Sequence, residues 1–143
     1  IGHGGYSKFA AFAPLEPMLA IGADRVIELW NTATGQQIGV LPGMSRENGP
    51  LEFSADGRLL IGVSREQRAV HIWDVRLRKD LFTLPLPPDV AQHTQDWLLA
   101  VSPDGQKVVC SSADADSNGG IYLFSGLPAG RTDAEASPVR AER

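Results

Sequence analysis

Apolar residues come in short runs along this chain, and turn formers separate them. Tyr6–Phe12, Met18–Gly22, Val26–Trp30 and Gln37–Leu41 read as four strands, followed by Pro50–Phe53, Arg58–Val63, Ala69–Asp74 and Asp80–Leu84. A third set, Trp97–Val101, Lys107–Ser112 and Ile121–Phe124, supplies three more. Clusters of Gly, Pro, Asn and Asp lie between the runs, the signature of tight turns in an all-β chain. Val70-His71-Ile72-Trp73 and Ile121-Tyr122-Leu123-Phe124 place bulky groups at successive positions. A sheet with one wet face would alternate apolar and polar residues, so these strands are expected to be covered on both faces.

The sets repeat. Phe12-Ala13-Pro14, Phe53-Ser54-Ala55-Asp56-Gly57 and Val101-Ser102-Pro103-Asp104-Gly105 begin 41 and 48 residues apart. Each leads to a second signature, Leu29-Trp30-Asn31, Ile72-Trp73-Asp74 and Leu123-Phe124-Ser125. Gly2-His3 and Gly43-Met44 stand at the same distance before Phe12 and Phe53. In Ser102-Pro103-Asp104-Gly105, Pro pre-sets φ at the second turn position and Gly tolerates φ > 0 at the fourth. Ser54-Ala55-Asp56-Gly57 is the same turn without proline. Before the third unit the Pro85-Leu86-Pro87-Pro88 segment is unsuited to a central strand, because proline has no N–H for the ladder.

Composition narrows the function classes. With 43% hydrophobic and 21% charged residues among 143, the chain can bury an ordinary core. Thirteen Lys and Arg stand against 17 Asp and Glu, a formal net charge of −4, which disfavours nucleic acid, whose binding needs clustered cations. The single Cys110 excludes an internal disulfide and any cysteine-rich zinc site. No apolar stretch is long enough to span a bilayer and no basic segment leads into one, so the expectation is a soluble, cytoplasmic protein without a membrane partner. Residues 127–143, small and charged with two prolines, read as a disordered tail or linker.

The Gly-His pair, the Phe-Ser-x-Asp-Gly turn and the Trp-Asp ending, at a period in the low forties, resemble WD40 repeats. The resemblance covers residues 2–126 and implies a partial β-propeller of about three four-stranded antiparallel blades, near 2–43, 44–86 and 87–126, the last lacking its fourth strand. Since closed propellers use about 4–8 blades, the chain is expected to be a fragment whose end blades need further blades or a second copy of the chain to cover them. The family often ties a blade with a His, a hydroxyl, an Asp and the third-strand Trp. By position, unit one offers His3, Asp24 and Trp30, with Ile21 and Ala23 where the hydroxyl is sought. Unit two has Trp73, but Met44 in place of His and Gln67 in place of Asp; unit three has Phe124 in place of Trp.

Candidate chemistry is sparse. His71 reads as a packed strand residue, and no histidine pair has metal-ligand spacing. Asp114-x-Asp116-x-Asn118-Gly119 matches the first half of a calcium loop, but Ser125 stands where a bidentate Glu is expected, and a polar hairpin loop is the favoured reading. Cys110 lies inside a strand, and no nucleophile elbow is present. The expectation is therefore a protein-interaction scaffold without catalysis, cofactor or metal. The alternatives are a lactonase-like enzymatic propeller and a calcium-dependent binding module. The loops expected to meet a protein or peptide carry Met44, Arg46, Glu47, Arg65, Arg68, Gln92 and His93, where exposed Met and Arg would suit recognition.

Overall fold

The computed structural model describes residues 9–44, 48–87, 96–113, 120–125 and 139–140. Twelve strands form three four-stranded sheets among these residues. The first contains β1 (Ala10–Phe12), β2 (Met18–Ala23), β3 (Val26–Asn31) and β4 (Gln37–Leu41). β5 (Asn48–Phe53), β6 (Leu59–Ser64), β7 (Ala69–Asp74) and β8 (Lys79–Pro85) make the second. The third holds β9 (Asp96–Val101), β10 (Lys107–Ala113), β11 (Gly120–Ser125) and β12 (Val139–Arg140). Each is an antiparallel meander in chain order, the arrangement expected of partial propeller blades.

Two strand expectations need correction. The third unit gains a fourth strand, because Val139 and Arg140 pair with Leu123 and Tyr122 on the outer edge of β11. Pairing there occupies a ladder that would otherwise be a bare edge. Covering on both faces holds in β7 and over Ala20–Ala23 of β2, but not in the third sheet. All of Ala69–Trp73 is buried, whereas in β11 Tyr122 and Phe124 are buried and Ile121 is 50% exposed. The physical reason is position: the middle sheet has a neighbour on each side, and the third has a described neighbour on one. Pro85 closes β8, an outer strand, where its missing N–H costs no central ladder bond.

The registers make the repeat physical. Phe12, Leu19 and Trp30 lie side by side across β1, β2 and β3. Phe53, Leu60 and Trp73 form the same row in the second sheet, and Val101, Val108 and Phe124 in the third. Each row in the second and third sheets packs onto the sheet before it. Phe53, Leu60 and Trp73 cluster with Ala20, Leu29 and Leu41, and Val108 and Phe124 cluster with Ile61 and Ile72. Between sheets the backbones approach most closely at the first strands, β1 against β5 and β5 against β9, so the sheets spread apart toward their outer strands.

The two Ser-x-Asp-Gly turns fold alike. The Ser54 hydroxyl donates to Asp56 Oδ1 (2.6 Å) and accepts from the Leu59 N–H (3.0 Å), and the Arg58 N–H also reaches Asp56 (3.0 Å). Ser102, Asp104, Gln106 and Lys107 reproduce these bonds. Hydrogen bonds from the serine hydroxyls hold both carboxyls below the ordinary aspartate range. Gly57 and Gly105 both take φ near +69°, the conformation expected of the fourth turn residue.

Candidate interaction surface

The first strands and the turns that follow them frame an open groove of about 380 Å³. Ala10, Phe12 and Pro14 come from the first sheet, Leu51, Glu52 and Ala55 from the second, and Val101 and Pro103 from the third. All three repeats therefore contribute to one concavity. Its walls are apolar and partly exposed, with Phe12 at 72%. Glu52 is the one acidic residue of the lining. Its carboxylate accepts a hydrogen bond from the Val101 backbone N–H, tying the second sheet to the third. Burial outweighs that bond and holds its pKa above the ordinary glutamate value.

The loop side differs from its expectation. Met44 is not an exposed recognition residue: it is buried in the core between the first and second sheets, where its flexible thioether fills space beside Leu41 and Leu51. Arg68 sits at the β6–β7 turn with φ +52°, and its guanidinium donates to Pro87 O (3.2 Å) while its carbonyl accepts the Leu86 N–H. That arginine braces two loops against each other. Arg65 is half-buried in the same turn. Arg46, Glu47, Gln92 and His93 lie outside the described residues, as do the calcium-loop candidates Asp114, Asp116 and Asn118.

Of the expected blade ties, His3 also lies outside the described residues, and Asp24 is exposed in the β2–β3 turn. The Trp30 indole donates to Glu28 Oε2 (3.0 Å) on its own strand. Trp73 donates instead to Pro42 O (2.8 Å) in the link from the first sheet to the second. Gly43 follows that proline with φ +97°, and a Cβ there would stand 3.3 Å from Asp80 Oδ2. This close approach and the positive φ account for glycine at position 43; its counterpart Gly2 lies outside the described residues.

Sequence reasoning missed a polar chain in the middle sheet. His71 is buried, with Nδ1 2.8 Å from Asp80 Oδ2 and Nε2 2.6 Å from Gln67 Oε1. Thr83 Oγ1 adds contacts to the ring and to Asp80. The imidazole stacks on the Trp73 indole with centroids 5.3 Å apart. His71 precedes Trp73 by two residues and so shares its face of the strand, which is the signal the sequence did carry. Gln67, which stands where the family pattern has Asp, takes up the role of an anchor for this histidine.

Nucleophilic chemistry finds no support in Cys110. Its thiol is buried, and desolvation pushes its pKa up to about 12, which suppresses the reactive thiolate. Among the described residues no group of His, Cys, Asp and Glu could hold a metal ion, and no helix is long and apolar enough to cross a membrane. No family model and no curated protein matches the chain.

Proposed function

We propose that the chain is a WD40-like interaction scaffold without catalysis of its own, and that the inner groove is where it takes a peptide segment of a protein partner. The observation that carries this reading is the groove's composition. Three sheets held by apolar packing present exposed Phe12, Pro14 and Pro103 and half-buried Val101 around the single carboxylate of Glu52. Apolar walls with one oriented polar group are what an anchored, specific contact requires. A half-buried carboxylate favours a cationic side chain, because the ion pair offsets its desolvation. A bound peptide would thus place a Lys or Arg at Glu52 and apolar residues on either side.

Panning a displayed random-peptide library against the chain tests this. The selected peptides are expected to share a basic residue flanked by apolar ones. They should lose affinity for Glu52→Gln, and more for Ala55→Arg, which puts a cation and bulk at the groove rim. Failure to enrich any peptide, or peptides that bind the Ala55→Arg protein equally well, would contradict the reading.

A further inference from the structure

Residues of an antiparallel pair alternate between those that exchange hydrogen bonds with the partner strand and those whose N–H and C=O point away from it. The Gly22 N–H donates to Phe9 O and the Ala13 N–H to Met18 O. With the β1–β2 register, Ala11 then faces β2, and Ala10 and Phe12 turn their backbone groups outward. The Ser54 N–H on Leu59 O and the Ser102 N–H on Lys107 O fix the other two sheets in the same way. Leu51 and Phe53 of β5 point outward, as do Leu99 and Val101 of β9. Since β1, β5 and β9 each end their sheet, these groups belong to strand edges, and Ala10, Phe12, Leu51, Phe53 and Val101 all line the groove.

Of the three edges, that of β1 is open. Leu51 and Phe53 are buried, at 8% and 7% exposure. On β9 the Val101 N–H is already taken by the Glu52 carboxylate. Ala10 and Phe12 are both exposed, and their outward N–H and C=O groups have no partner among the described residues. They recur about 7 Å apart, the rise of two strand residues. An edge of this kind is a template for another strand.

We propose that the groove takes its peptide as an added strand: an extended segment of a protein partner pairs with the outer edge of β1 while its basic residue meets Glu52. The inference rests on the reading of the groove as a peptide site and specifies the backbone conformation that the site selects. Pairing with Ala10 and Phe12 supplies main-chain hydrogen bonds, which give affinity whatever the sequence, while contacts to alternate side chains give specificity. β1 has only three residues, and an edge this short holds a strand poorly by its ladder alone. A segment stays bound where the groove adds the apolar surfaces of Phe12 and Pro14 and the carboxylate of Glu52. Glu52 thus acts twice: it withdraws the Val101 donor of β9 from pairing and sets a negative charge in the groove onto which β1 opens.

Peptide N-methylation provides the test, because a methyl group on a backbone nitrogen removes one donor and leaves the side chain intact. The probe is an end-capped heptapeptide with valine at the odd positions, threonine at the second and sixth, and lysine at the fourth. Its five central amides are methylated one at a time, and binding to the chain is read by fluorescence anisotropy. Two amides, two residues apart, should each weaken binding about two- to tenfold, the worth of one hydrogen bond. The amide between them should leave binding unchanged. Ala10→Pro removes an outward donor of β1 without touching the bonds to β2, and should weaken the unmethylated probe by a similar factor. Should the proline alter the far-ultraviolet spectrum, the methylation scan decides alone. Equal effects at all five amides, or no effect at any, overturn the added strand, and so does a probe that does not bind. Peptides enriched by panning that lack this alternation would leave the groove a peptide site and overturn the pairing alone, whereas a library that yields no peptide removes both.

Discussion

Replacing Trp73 by alanine is expected to cost about 3–5 kcal/mol of folding stability, the range for truncating a large buried aromatic. Its side chain is fully buried, at 0% exposure. It joins the core between the first two sheets, stacks on His71 and donates to Pro42 O across the sheet junction. The ring edge also lies over Gly62, where an added Cβ would come within 3.1 Å of it. Removal thus opens a cavity at a junction and strips a hydrogen bond from the link between sheets. Trp30 occupies the equivalent register but is 9% exposed and bonds only within its own strand. Trp30→Ala should therefore cost clearly less. Chemical denaturation of the two variants makes the comparison; equal losses would mean that the first sheet is clamped as tightly as the second.

His71→Ala is the second large effect. Loss of the imidazole removes its hydrogen bonds to the Asp80 carboxylate and to the exposed Gln67 amide; a hydrogen bond to a charged group is worth about 1.5–3 kcal/mol, and Gln67 can return to water. The stack on Trp73 disappears at the same time. Asp80→Ala breaks the same chain from its other end. Because the two residues act on one network, the double variant should lose less than the two single losses added together. Thermal unfolding of the three variants reads this coupling. Strict additivity would show that His71 and Asp80 contribute separately.

Much of the architecture was legible because its signals are local. Gln37–Leu41 and Ala69–Asp74 form strands with the expected ends, since β-rich runs between turn formers have few alternatives. The turns at Gly57 and Gly105 were legible from the left-handed backbone that glycine allows. What escaped depends on distance in the sequence. The strand Val139–Arg140 pairs with a partner far upstream, and two residues carry no pattern of their own. Met44 stands in a loop, where exposure is the ordinary expectation, yet the junction between two sheets needed an apolar filler there. The His71 chain required knowing that Asp80 lies opposite Trp73 across β7 and β8. Glu52 was hidden because its importance comes from the neighbouring sheet, whose Val101 N–H it accepts.

The rows also explain how one repeat serves three environments. The same register holds Trp30, Trp73 and Phe124, but only Trp73 sits in a sheet packed on both faces by described neighbours. Divergence at the ends is tolerated because each sheet depends chiefly on adjacent ones, as in other repeat arrays. Polar ties can be rewired, from Glu28 in the first sheet to Gln67 and Asp80 in the second, as long as the apolar rows persist.

The central claim is that three equivalent sheets share one stack whose middle member is clamped from both sides. Amide hydrogen exchange tests it most directly, measured on the chain at low concentration. The account predicts the slowest exchange in β6 and β7, with faster exchange in β2, β3, β10 and β11, because local opening of an end sheet exposes one packed face and that of the middle sheet exposes two. Equal protection across the three sheets, or slower exchange in an end sheet than in β6 and β7, would contradict it.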